Sequence, residues 1–139
     1  MKDDIYFNSE GIYDPTPALA ILGAGDGSAS TKRFPFRPVV YIASPYSDDP
    51  VGNTVKARRY CRFAVDEGYI PFAPHLYLPE FMDEETERDL ALFFDRVFLT
   101  KCAELWVMGD RVTDGMEREI KQARSRNMTI RYFGEEDIR

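Results

Sequence analysis

Short apolar runs alternate with amphipathic stretches along most of this chain. Val39-Val40-Tyr41-Ile42-Ala43 is a continuous, β-rich run, the pattern of a strand buried on both faces. Residues 52–67 carry an apolar stripe of Ala57, Tyr60, Cys61 and Ala64, with Gly68 where a helix C-cap belongs. A second strand is predicted over 69–73, followed by a loop over 74–79 bounded by prolines. Residues 86–101 read as a long helix that is apolar nearly all round. Leu90, Phe93, Phe94 and Val97 lie on one side of it, and Ala91, Leu92, Phe98 and Leu99 on the other. A third strand over 105–108 closes at Gly109, and a loop follows. A helix then runs from Gly115 to about Arg126 on a stripe of Met116, Ile120 and Ala123, and a last strand covers 128–133. Strands alternating with helices imply βαβ units, hence an α/β domain with a mainly parallel sheet of about four to five strands.

Residues 1–37 break this rhythm. They are rich in proline and glycine, and GAGDGSAS is of low complexity. Its glycines do not make a phosphate loop, since no strand precedes them and no GK[ST] follows. This segment reads as an extended, partly flexible arm with a short helix over 15–22. The domain itself covers 38–139.

Composition narrows the class. The 139 residues suit one domain, and 44% hydrophobic and 14% aromatic residues supply a core. A net charge of −6 disfavours a nucleic-acid polymer as partner, because phosphate backbones are held by Lys and Arg. A small anion remains compatible, since a few local donors hold it. Cys61, Cys102 and the single histidine fall in no metal-ligand spacing, so reduced thiols and no metal are expected. No apolar run approaches the ~20 residues that span a bilayer, and the N-terminus lacks an apolar signal core. The expectation is a cytoplasmic protein with no membrane partner.

Ligands of open α/β sheets bind beyond the carboxyl ends of the strands, which selects loops 44–49, 74–79 and 109–115. Glu119 lies early in the helix after the last of these, beside its apolar stripe and without a cationic partner at i+4. Glu117, by contrast, has Lys121 at i+4. Position alone leaves Glu119 either as a carboxylate reaching into the cleft or as a solvated helix residue. Asp95 has apolar neighbours at i−4, i−3, i+3 and i+4, so its carboxyl should be buried with a raised pKa. That suits an active site or a structural buried pair. His75 follows a strand at the ligand edge. Ser44 lacks the surroundings of a hydrolase nucleophile.

Three segments in this order resemble the nucleoside 2-deoxyribosyltransferase-like superfamily, closest to its short, often phage-associated members. They are Val40-Tyr41-Ile42-Ala43-Ser44-Pro45, the stretch from Asp95 through Cys102-Ala103-Glu104-Leu105-Trp106, and Gly115-Met116-Glu117-Arg118-Glu119-Ile120-Lys121-Gln122-Ala123. The resemblance implies a Rossmann/flavodoxin-like three-layer fold. It implies Glu119 as nucleophile, Tyr41 as the tyrosine that orients it, and Asp95 as the acid assisting the leaving base. Ser44, Pro45, Tyr46, His75, Asp114, Gly115 and Met116 would then surround a small-molecule nucleoside or nucleotide, with no cofactor. Thr113 and Ala103 stand where the enzymes often carry acidic residues, so a non-catalytic nucleotide-binding module is the alternative. A homo-oligomer is expected, because the domain is small, Phe34, Phe36, Tyr77, Phe81 and Trp106 are large apolar side chains, and relatives build sites across subunits.

Overall fold

The computed structural model describes residues 33–138. The arm expected over 1–37, with its short helix at 15–22, lies almost wholly outside the described residues. The unit Pro38–Arg139 begins with β1 (Val39–Ala43), α1 (Pro50–Asp66) and β2 (Ile70–Phe72). A short α2 (Pro74–Tyr77), a 3-10 turn (Leu78–Glu80) and α3 (Arg88–Thr100) follow. The chain then forms β3 (Glu104–Met108), α4 (Asp114–Ser125), β4 (Thr129–Phe133) and α5 (Glu135–Ile138). The four strands form one all-parallel sheet in the order β2-β1-β3-β4. The α/β fold expected from the sequence is the one observed.

Alternation along the central strands divides the core in two. Val40, Ile42, Trp106 and Met108 point to the face covered by α1 and α5, where Tyr60, Ala64 and Ile138 pack on them. Tyr41, Ala43, Leu105 and Val107 point to the opposite face, against Leu99 of α3 and Met116, Ile120 and Ala123 of α4. Side chains leave a strand alternately up and down, so a run without polar residues requires a helix layer on each side.

The helix ends are set locally. Asp49 caps α1 by accepting from the Gly52 amide at 3.2 Å, and Pro50 occupies the first turn, where its missing N–H costs nothing. Thr113 caps α4, its Oγ1 accepting from the Met116 amide at 3.3 Å. Gly109 turns the chain out of β3 at φ +94°, and its amide donates to the Phe133 carbonyl at 2.8 Å. A side chain there would be strained and would also meet the Tyr60 hydroxyl.

Four sequence expectations change. The loop over 74–79 is helical, because Pro74 and Pro79 each open a turn where no amide hydrogen is needed. The helix of 86–101 is not buried all round, since Leu90, Phe93 and Val97 are 45%, 50% and 39% exposed. The sheet offers that helix a single face, and no described residue covers its outer side. Trp106, expected to help form an oligomer surface, is fully buried in the core. Finally, α5 has no periodicity long enough to read from sequence. It is held by contacts, with Glu135 accepting from the Tyr60 hydroxyl and from Arg59, both at 2.6 Å.

Candidate active site

The strand order reverses direction between β1 and β3, which opens a crevice at their carboxyl ends. A cleft of about 900 Å³ occupies that place. One wall is the stripe Arg88, Ala91, Leu92 and Asp95 of α3, spaced i, i+3, i+4, i+7. The other is the stripe Gly115, Arg118, Glu119 and Gln122 of α4, with the same spacing. The loop after β1 contributes Ser44, Tyr46 and Asp48. That loop is clamped by the buried Asn53, whose Nδ2 donates to the Tyr46 carbonyl at 3.0 Å and to Asp48 Oδ1 at 2.8 Å.

At the inner end of the cleft, the Tyr41 hydroxyl donates to Glu119 Oε2 at 2.6 Å. Burial pushes the Glu119 carboxyl up to about 8, and the neighbouring Asp95 charge adds to this. The Tyr41 hydrogen bond and the Arg118 charge oppose it. Burial likewise raises Asp95 to about 7, with help from the Glu84 charge. Asp95 Oδ1 is buried without a hydrogen-bond partner among the described residues. Tyr41 is fully buried, and burial together with the Glu119 and Asp95 charges raises its pKa well above the usual phenol value. It therefore remains a donor throughout the neutral range. Two carboxyls in electrostatic contact titrate as a pair, so near neutrality the pair holds about one proton. The Tyr41 hydrogen bond favours the charge on Glu119 and Glu84 disfavours it on Asp95, but burial weighs more on Glu119, so the form with Glu119 ionised and Asp95 protonated is the minor one-proton arrangement.

The other expected residues fall into two groups. Ser44, Tyr46, His75, Asp114, Gly115 and Met116 line the cleft, whereas Pro45 is buried behind it. Ser44 Oγ is buried without a hydrogen-bond partner among the described residues. His75 stacks on Tyr46, with ring centroids 4.8 Å apart and planes 11° from parallel. Burial depresses the His75 pKa to about 4, against a hydrogen bond with the Ser44 backbone. A neutral imidazole at pH 7 is no proton donor of consequence, so His75 supports Tyr46 instead. Sequence reasoning missed Glu84, Arg88, Arg96 and Arg118 in the walls. The legible signal for the arginines was their place on the same two helices as Asp95 and Glu119. Among the described residues no group of three or more His, Cys, Asp or Glu side chains is gathered to hold a metal ion. Burial pushes the thiols of Cys61 and Cys102 up to about 11 and about 12, which keeps them protonated.

Residues 38–133 match the sequence profile of a domain family of unknown function, DUF7768. The chain belongs to this family. No curated protein matches it. Among solved structures, this DUF7768 domain is similar to a 2-deoxyribosyltransferase from the psychrotolerant bacterium Bacillus psychrosaccharolyticus. The two are 19% identical, with a TM-score of 0.54 over 69% of this chain and 72% of that one. At that identity the likeness is one of fold. No helix among the described residues of the DUF7768 domain is long and apolar enough to cross a membrane.

Proposed function

We propose that this domain cleaves or exchanges the N-glycosidic bond of a nucleoside or nucleotide through a covalent glycosyl-Glu119 intermediate. The observation that carries the reading is Glu119 oriented by the Tyr41 hydroxyl at 2.6 Å, with the half-buried Asp95 carboxyl lining the same cleft, one of its oxygens buried and unsatisfied among the described residues. A Glu119 oxygen attacks the anomeric carbon as the bond from that carbon to the base nitrogen breaks. The electron pair of that bond leaves with the base, and the Asp95 proton goes to it. Water or a second base then attacks the anomeric carbon of the glycosyl ester and gives up a proton to Asp95. Glu119 departs as carboxylate, and two displacements give net retention. Burial matters here because a desolvated carboxylate stabilises the cation-like transition state more strongly than a solvated one. The experiment is a screen of nucleosides and 2′-deoxynucleoside 5′-monophosphates, with free base read by chromatography, with and without an acceptor base. Base exchange identifies a transferase, and release without an acceptor identifies a hydrolase.

The pH profile should be a narrow bell with its maximum between about 7 and 8. Below it the pair holds two protons and Glu119 cannot attack; at the maximum the one-proton pair reacts through the form with Glu119 ionised. Above it Asp95 has lost the proton the base needs. Asp95→Asn should slow turnover and remove the alkaline limb while keeping the acidic one. Retention of both limbs in that variant would show that Asp95 is not the acid.

A second reading, a non-catalytic nucleotide-binding module on the same fold, draws on Thr113. Its side chain is engaged in capping α4 and does not supply the carboxylate found in the enzymes. A homo-oligomer belongs to either reading, since Leu90, Phe93 and Val97 leave the outer side of α3 apolar. Sedimentation at micromolar concentration should show more than the monomer mass, and a monomer alone would remove this part.

A further inference from the structure

The chain has a net charge of −6, yet four cations, Arg88, Arg96, Arg118 and Lys121, line the cleft. None of the four forms an ion pair with a described residue. Arg59 pairs with Glu135, Arg62 with Asp66, and Arg111 with the cleft residue Asp48. Arg88 projects from the Asp95 stripe of α3. Arg118 precedes Glu119 on α4 and lies close enough for its charge to act on that carboxyl. The two arginines therefore stand on opposite walls at the mouth of one cleft. An independent observation points to a ligand in the same place. Ser44 is 2% exposed, lines this cleft, and its hydroxyl has no hydrogen-bond partner among the described residues. A buried hydroxyl left unsatisfied is costly, and a ligand oxygen would recover that cost.

An uncharged nucleoside makes no use of cations on two walls. A phosphate ester does, because its several oxygens accept from donors converging from different elements. The same lining also carries the carboxyls of Asp48, Glu84, Asp95, Asp114 and Glu119, with Asp48 paired to Arg111, so the cations act as local donors and not as a net positive field. We propose that the substrate is a nucleoside 5′-monophosphate, with Arg88 and Arg118 holding the phosphate and Ser44 donating to a ligand oxygen. This rests on the N-glycoside reading above and narrows its substrate class. The phosphate ester itself stays intact, so hydrolysis gives free base and the 5-phosphorylated sugar.

The test uses the full chain and pairs each 2′-deoxynucleoside with its 5′-monophosphate. The monophosphate should be favoured in kcat/KM by roughly 100-fold, the worth of two charge-assisted hydrogen bonds. Arg88→Gln and Arg118→Gln should each shrink that ratio about tenfold, mainly through KM. Both side chains are exposed, so the variants should fold. Arg62→Gln, remote from the cleft and paired with Asp66, should leave the ratio alone. Equal use of nucleoside and monophosphate, unaffected by the arginine changes, would overturn the inference and leave the N-glycoside reading standing. Sugar 1-phosphate formed from a nucleoside and inorganic phosphate would also overturn it, by reassigning the cations to an acceptor. If neither class releases base, the glycosidic reading falls, and calorimetry decides the phosphate site alone. There, 2-deoxyribose 5-phosphate binding more tightly than 2-deoxyribose, with the difference lost in the double arginine variant, supports the site. Equal binding of the two sugars removes it.

Discussion

Glu119→Gln should lose base release by on the order of 10⁴-fold or more, with the fold retained. The change keeps the size of the side chain and lets the amide oxygen accept from Tyr41, so packing survives while the nucleophile is gone. Glu117→Ala, on the exposed side of the same helix, should be nearly silent. A Glu119→Gln enzyme with ordinary turnover would end the assignment. The same variant carries a signature in stability. Folding raises the Glu119 carboxyl from 4.5 to about 8, so the folded state holds its proton more tightly than the unfolded chain does. Below about pH 4.5 both states are protonated and nothing is lost. As pH rises towards 8 the unfolded chain releases a proton that the folded state retains, and stability falls, by on the order of 5 kcal/mol once both are ionised. The uncharged amide of the variant escapes that loss. Thermal unfolding should therefore place the variant close to the parent at about pH 4–5 and well above it at about pH 8–9. A variant no more stable than the parent at about pH 9 would mean that the carboxylate is solvated. A site that destabilises its own fold at working pH is what a buried nucleophile requires.

Trp106→Ala should be the most damaging single change to the fold, at about 3–5 kcal/mol by urea unfolding with an unchanged slope. The indole is fully buried at the centre of the sheet. Its ring lies 4.8 Å from Tyr69 and 4.7 Å from Phe133, and the Arg131 guanidinium sits 5.1 Å from its centroid. Its Nε1 donates to Glu104 Oε1 at 2.8 Å. Truncation leaves a void that strands and helices, fixed by their own ladders, cannot collapse into, and it strips Glu104 of a donor. Trp106→Phe keeps the ring contacts and should cost less than half as much. A loss below about 1 kcal/mol for the alanine variant would contradict this packing. The site lies on the opposite face of the sheet, so activity of the surviving folded protein should fall less than stability does.

The order of residues alone determined the features that repeat over short distances. Runs such as Val39–Ala43 and the stripe Met116, Ile120, Ala123 follow from the two-residue and 3.6-residue periods of strand and helix. Those periods act between near neighbours, so the α/β class and both core faces were legible. The apolar neighbours of Asp95 also foretold a raised pKa, because they are its own helical neighbours. Tertiary structure decided what depends on residues far apart in the chain. Tyr41 meets Glu119 only because the crossover through α3 places β3 beside β1 and drops α4 over the Tyr41 face of the sheet. No local period encodes a contact across 78 positions. The outer face of α3 reads as core from its residues, yet is exposed, since burial depends on what packs there and not on hydrophobicity alone. The helical turns at Pro74–Glu80, the docking of α5 through Glu135, and the gathering of arginines around the cleft were likewise settled by spatial neighbours. Whether a charge finds a partner is a property of distance in space, which the order of residues does not carry.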